Sequence, residues 1–151
     1  MGTKNIFDKE TFEDTIARIN NLIPESQGIW GKMSVSQMLA HMTQAVKVVT
    51  DAAPPPRMLA GRLIGWALKK KVYDDSMIQK NLPTAPAFLI RADKDLDKER
   101  AEVLRQLNLV FAKGQAGVHN IAHPFFGKLT GEQWGKGIWK HFDHHLRQFN
   151  V

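Results

Sequence analysis

The chain has 151 residues, 43% of them hydrophobic and 24% charged, which is the size and balance of one ordinary globular domain. It has no cysteine, which excludes disulfides, thiolate metal sites and an internal thiol nucleophile, and fits a reducing cytoplasm. The 21 Lys and Arg against 15 Asp and Glu leave a net charge of +6, enough to attract phosphates or acidic membrane surfaces.

No apolar run approaches the ~20 residues of a membrane span. The start, MGTKNIFDKE, lacks the apolar region of a secretory signal. Acylation of Gly2 is disfavoured, because Ile6 stands where Ser or Thr is wanted. A first helix is expected over residues 8–23, with Phe12, Ile16, Ile19 and Ile23 spaced 4, 3 and 4, ended by Pro24. A loop with two glycines around Trp30 follows. Ser34 and Gln37 form a capping box, and the second helix runs from there until the prolines at 54–56 stop it. Its inner stripe is Met38, His41, Ala45, Val48 and Val49.

The third helix, residues 57–73, is amphipathic and basic, with Lys69, Lys70 and Lys71 in a row and Arg57 and Arg62 upstream. Lysines near a helix C-terminus suit the macrodipole, so a solvated helix end explains them. Gly61 and Gly65 weaken the helix in isolation and permit close packing on a neighbour. Residues 74–88 read as a long loop that Pro83 and Pro86 keep irregular. A fourth helix is expected over 95–113, with Leu96, Val103, Leu107, Val110 and Phe111 inward and Gly114 as its stop. No strand pattern competes. Thr130 and Gln133 form another capping box and open the last helix. The connections 54–94 and 114–129 are too long for a simple up-down series. The expected architecture is all-α: one bundle domain over residues 1–151, with four long helices, long crossover connections and an additional short basic helix.

On the last helix, His141 and His145 are four residues apart and share one face. Trp134, Ile138, Phe142 and Phe149 lie on or beside that face; Lys136, Lys140, His144 and Arg147 are expected on the other side. His41 from the second helix adds a third inward imidazole. Three imidazoles from two helices can hold a divalent metal and leave a coordination position open, the pattern of a catalytic site. Buried without a metal or hydrogen bonds they would carry a desolvation cost. The alternative is that each is a satisfied core histidine.

The runs RINNLIPESQGIWGKMSVSQMLAHM, HPFFGKLTGEQWGKGIWKH and HFDHHLRQF together resemble the DinB/YfiT-like superfamily, in a branch whose function is unassigned. The last run fits the superfamily's HxxHHxxQ-like signature. The likeness covers almost the whole chain and is weakest over residues 54–94. It implies a DinB-like four-helix bundle with a three-histidine divalent metal site, carried onto His41, His141 and His145. It also implies chemistry of two kinds, hydrolase-like activity and transfer of a low-molecular-weight thiol.

Among the other candidates, His123 can hang over the site as the catalytic acid or base, or anchor its loop by a hydrogen bond. Phe125 and Phe126 can wall a substrate pocket or plug the end of the bundle. Gln148, one turn beyond His145, can touch a metal-bound water or cap the helix. His144 reads as a surface residue or one behind the ligands, His119 as solvated, and Asp143 as the partner of Arg147 at i, i+4. The Glu-x-x-His pair of di-iron bundles, HExxH, the phosphate-binding glycine loops and the GxSxG elbow are all missing from the sequence.

The leading expectation is a metal-dependent enzyme acting on a small-molecule substrate. Zinc or nickel comes first for an all-histidine site, with manganese or iron also compatible. The missing glutamate base turns the reading from peptide hydrolysis toward thiol S-transfer, with the thiol supplied from outside; a metal-dependent hydrolase is the alternative. The competing class is a binding module that uses helix 57–71, with Trp66 among Leu63, Ile64 and Leu68, on an anionic membrane or nucleic acid. More often such a stripe packs on its own bundle, or on a second subunit as a homodimer. No sequence-specific nucleic-acid contact is expected.

Overall fold

The structure is a computed structural model that describes residues 4–51 and 55–151, with backbone alone at 71 and 72. The Gly2 reading and the Lys71 side chain lie outside the described residues; the second helix, expected to run on to the prolines, already ends at Thr50, where the backbone of Asp51 turns extended. Five helices are present among the described residues: α1 Lys9–Asn20, α2 Val35–Thr50, α3 Leu59–Val72, α4 Leu96–Val118 and α5 Gly131–Gln148. The molecule is mostly helical, as expected.

Both capping boxes form. The Ser34 and Thr130 hydroxyls accept from the Gln37 and Gln133 backbone N–H groups, and each glutamine side chain accepts from its cap residue in return. The helices bury one apolar cluster that includes Ile19, Met38, Leu39, Met42, Val103, Leu107, Val110, Phe142 and Leu146. α2 packs against both α4 and α5. It is covered on more than its expected stripe: Val35, Leu39, Ala40, Met42 and Val46 are buried as well.

Four further expectations are corrected. α1 ends at Asn20, short of Ile23, which is 54% exposed; the chain leaves the helix before Pro24 can act. Gly114 breaks α4 with φ 63° and ψ 178°, but a short helical turn resumes to Val118, because only the glycine takes up the forbidden conformation. Pro86 opens a 3₁₀ turn, Pro86–Phe88, since its fixed φ and missing N–H suit a first helical position. Finally, a two-stranded antiparallel hairpin pairs β1 Ala122–His123 with β2 Gly127–Lys128. Two residues per strand are too few to show an alternating pattern.

The glycines of α3 act as expected. A Cβ on Gly61 or on Gly65 would meet the Phe125 carbonyl oxygen at 2.3 Å. The hairpin tip therefore sits directly on the helix backbone, with the Met58 N–H donating to the Pro124 carbonyl at 2.9 Å.

Candidate metal centre

α2 and α5 bring His41, His141 and His145 together. Their ligand atoms lie within 4.8 Å of one another. His141 Nε2 is 3.0 Å from His41 Nε2 and 3.2 Å from His145 Nε2. Two nitrogens on a tetrahedral zinc would be about 3.3 Å apart, from Zn–N distances of about 2.0–2.1 Å. His41 and His145 are buried and His141 is partly buried. These three residues could hold a metal ion.

The hydrogen bonds behind the cluster fix the tautomers. His41 Nδ1 donates to the Phe88 carbonyl at 3.0 Å; a carbonyl can only accept, so Nε2 carries the lone pair. Gln148 Nε2 donates to the Trp30 carbonyl at 2.7 Å, which sets the amide and turns Oε1 toward His145 Nδ1 at 2.8 Å. His145 Nδ1 is then the donor and its Nε2 also carries a lone pair. Two acceptor nitrogens thus face the His141 Nε2. One proton on His141 cannot satisfy both fully; a cation can.

The Gly28–Gly31 segment is built around Gln148. The Ile29 N–H donates to the Gln148 carbonyl at 2.8 Å. Gly31 has φ +77°, and a Cβ there would stand 2.5 Å from Gln148 Nε2. The two glycines around Trp30 therefore position the residue that orients His145. The Phe88 carbonyl does the same for His41 from the turn opened by Pro86. The Phe88 and Trp30 carbonyls are not visible in the sequence as partners, because each acts through a backbone oxygen outside the long helices.

Burial holds every histidine of the cluster neutral. It lowers His41 against the opposing Phe88 hydrogen bond and takes His145 to about 4. His141 falls well below the ordinary value through burial and then through the neighbouring histidines. Neutral imidazole is the form that ligates.

The His123 ring is engaged within its own hairpin. Its Nδ1 accepts from the Phe125 and Phe126 N–H groups at 3.1 and 3.2 Å, which locks the hairpin. Burial, helped by the Arg57 charge, lowers it to about 4. The neutral ring then offers an Nε2–H, a donor and not a base. The ring centroid lies 4.8 Å from that of Phe126 and 5.5 Å from that of Trp134. Phe126 also packs on Tyr73 and on the core, and Phe125 lends its carbonyl to the contact with α3.

The expected outer side of α5 is partly wrong. Lys140 and His144 are buried because residues 73–78 run along that side. Tyr73 lies on Gly137, Lys140 Nζ donates to the Asp74 carbonyl at 2.9 Å, and His144 hydrogen-bonds the Ile78 backbone. His144 also lies against Trp30 and His145. Asp143 pairs with Arg147 at 2.8 Å as expected, and with Arg18 of α1 at 2.9 Å, which was not foreseen. His119 is exposed as expected, and its Nδ1 accepts from the Gly131 N–H at the start of α5 at 3.3 Å.

No helix of the described residues is long and apolar enough to cross a membrane. No curated protein and no solved structure matches the chain. Residues 3–151 match the family described as "Protein of unknown function (DUF1569)", and the chain belongs to that family.

Proposed function

We propose that the protein is a divalent-metal-dependent enzyme with a DinB-like four-helix bundle, in which His41, His141 and His145 are the metal ligands. The observation that carries this reading is the convergence of three Nε2 atoms, two of them fixed as lone-pair donors by Phe88 and Gln148. Both donors have their remote N–H engaged by a protein oxygen, as metal-bound histidines characteristically do.

When bound, a metal there supplies Lewis acidity for activating water, polarising a carbonyl or lowering the pKa of an external thiol. The protein supplies the rest. His41 and His145 are held rigid from behind, so little ordering remains to be done on binding. His123 lies against the Phe126 and Trp134 rings, and its Nε2–H would be the group to donate to a substrate oxygen. Phe142 follows His141 where a zinc protease carries its glutamate base, and the neighbouring Asp143 is paired with Arg18 and Arg147. This favours transfer of a low-molecular-weight thiol to a small electrophile over hydrolysis. Zinc or nickel suits the donor set.

The test is the metal content of untagged protein purified without added metal, followed by titration with zinc and nickel. The expected result is about one divalent ion per chain, retained through gel filtration. A chain that neither carries nor takes up an ion would overturn the reading. Turnover of an electrophile that requires both the metal and an added thiol assigns the transferase; turnover of an ester or amide without thiol assigns the hydrolase.

A further inference from the structure

α3 is built inside out. Its small residues, Gly61 and Gly65, face the protein and touch the hairpin backbone. Its large apolar residues face away: Leu59, Leu63 and Trp66 are 77%, 75% and 76% exposed, and Ile64 is also exposed. Leu59, Leu63, Trp66 and Lys70 are spaced 4, 3 and 4, so they form one stripe along the helix. Apolar side chains set singly on a surface need no explanation, but a contiguous helical stripe does. The intramolecular packing expected for this stripe is not what the structure has.

We propose that α3 docks the protein on the surface of an anionic bilayer, lying in the plane of the interface. The occupant follows from charge. Arg62 and Lys70 are exposed, and Lys69 and Lys128 stand together where Lys69 Nζ donates to the Lys128 carbonyl at 2.7 Å. Among the described residues, none of the ion pairs involves these four cations. Leucines and a tryptophan enter the boundary between headgroups and acyl chains while flanking lysines and arginines meet anionic headgroups. A second copy of the chain would set Lys70 and Arg62 against like charges, on molecules that each carry +6. A nucleic acid would satisfy the cations but leave Leu59, Leu63 and Trp66 without a partner.

The experiment is flotation of the full chain with phosphatidylcholine vesicles, with or without about 30% phosphatidylserine. Binding is expected only to the anionic vesicles, and salt should weaken it. Leu63→Glu and Trp66→Glu should each lower the partition constant about tenfold or more, with circular dichroism and thermal midpoint unchanged because both side chains are exposed. Neutralising Arg62 or Lys70 to Gln should cost about fivefold each. Brominated lipid should quench the wild type more than Trp66→Phe. The proposal is overturned if anionic vesicles do not bind, or if the two Glu variants bind them as well as the wild type. Duplex DNA binding without vesicle binding would assign the cations to nucleic acid instead. A dimer that Trp66→Glu dissociates, again without vesicle binding, would assign the stripe to a second copy.

Discussion

The least conspicuous residue of the candidate centre is the one on which its chemistry depends most. Gln148 is held by the Trp30 carbonyl and in turn holds the His145 proton on Nδ1. Replacing it with Leu keeps the volume and removes the acceptor. Zinc affinity measured by isothermal titration is expected to fall about 10- to 100-fold, the usual cost of losing a hydrogen bond behind a ligand. His141→Ala, which removes the nitrogen central to the cluster, is expected to abolish binding. If Gln148→Leu binds zinc like the wild type, the tautomer argument is wrong even where the metal site stands. The three histidines were legible because helical periodicity alone brings i and i+4 to one face and places His41 on an inner stripe. The role of Gln148 was only partly legible. The sequence shows its position one turn beyond His145, but nothing in it names a loop carbonyl as the partner that decides which way an amide points.

At the level of elements, the contact of α3 with the hairpin turns on two missing Cβ atoms. Gly65→Ala puts a methyl group 2.3 Å from the Phe125 carbonyl oxygen, a backbone atom that cannot rotate away. Overpacking of this kind costs about 1–3 kcal/mol. Gly65→Ala, though it favours the isolated helix, is therefore expected to lower the urea midpoint. A stability equal to or above the wild type would show that helix and hairpin part readily. The spacing of Gly61 and Gly65 announced a close approach but not its partner, because strands of two residues lie below any period that can be read. The misplacement of Lys140 and His144 has a related cause. A helical wheel divides α5 into a covered and an open side, whereas Gly137, Lys140 and His144, spaced 3 and 4, form a second contact line for residues 73–78. An irregular segment leaves no periodic signal of what it will cover, so α5 read as one-sided.

Across the molecule, buried neutral histidines couple stability to pH. His123 and His145 titrate at about 4 in the folded chain, and His41, His141 and His144 are all lowered, with burial the main cause each time. In the unfolded chain the same rings take up protons near the ordinary value of about 6.5. Between these values the unfolded state binds more protons, so stability is fully present above about 6.5 and is lost as pH falls toward about 4. His123 and His145 each contribute up to about 1.4 kcal/mol per pH unit inside that window. The carboxylates act lower down: Glu102, held at about 2 by hydrogen bonds from Arg105 and Gln106, starts to weaken the fold only below its unfolded value of 4.5. The upper window therefore belongs to the histidines. His123 also has a specific way of failing, because a proton on Nδ1 displaces both hairpin N–H groups. Urea unfolding of metal-free protein at a series of pH values should show the decline, and His123→Asn should make it shallower by up to one proton's worth of slope. A wild-type stability that stays level from neutral pH down to about 4.5 would refute the coupling. Saturating zinc should shift the decline to lower pH, since an ion that binds only the folded state stabilises it and competes with protons for the same nitrogens.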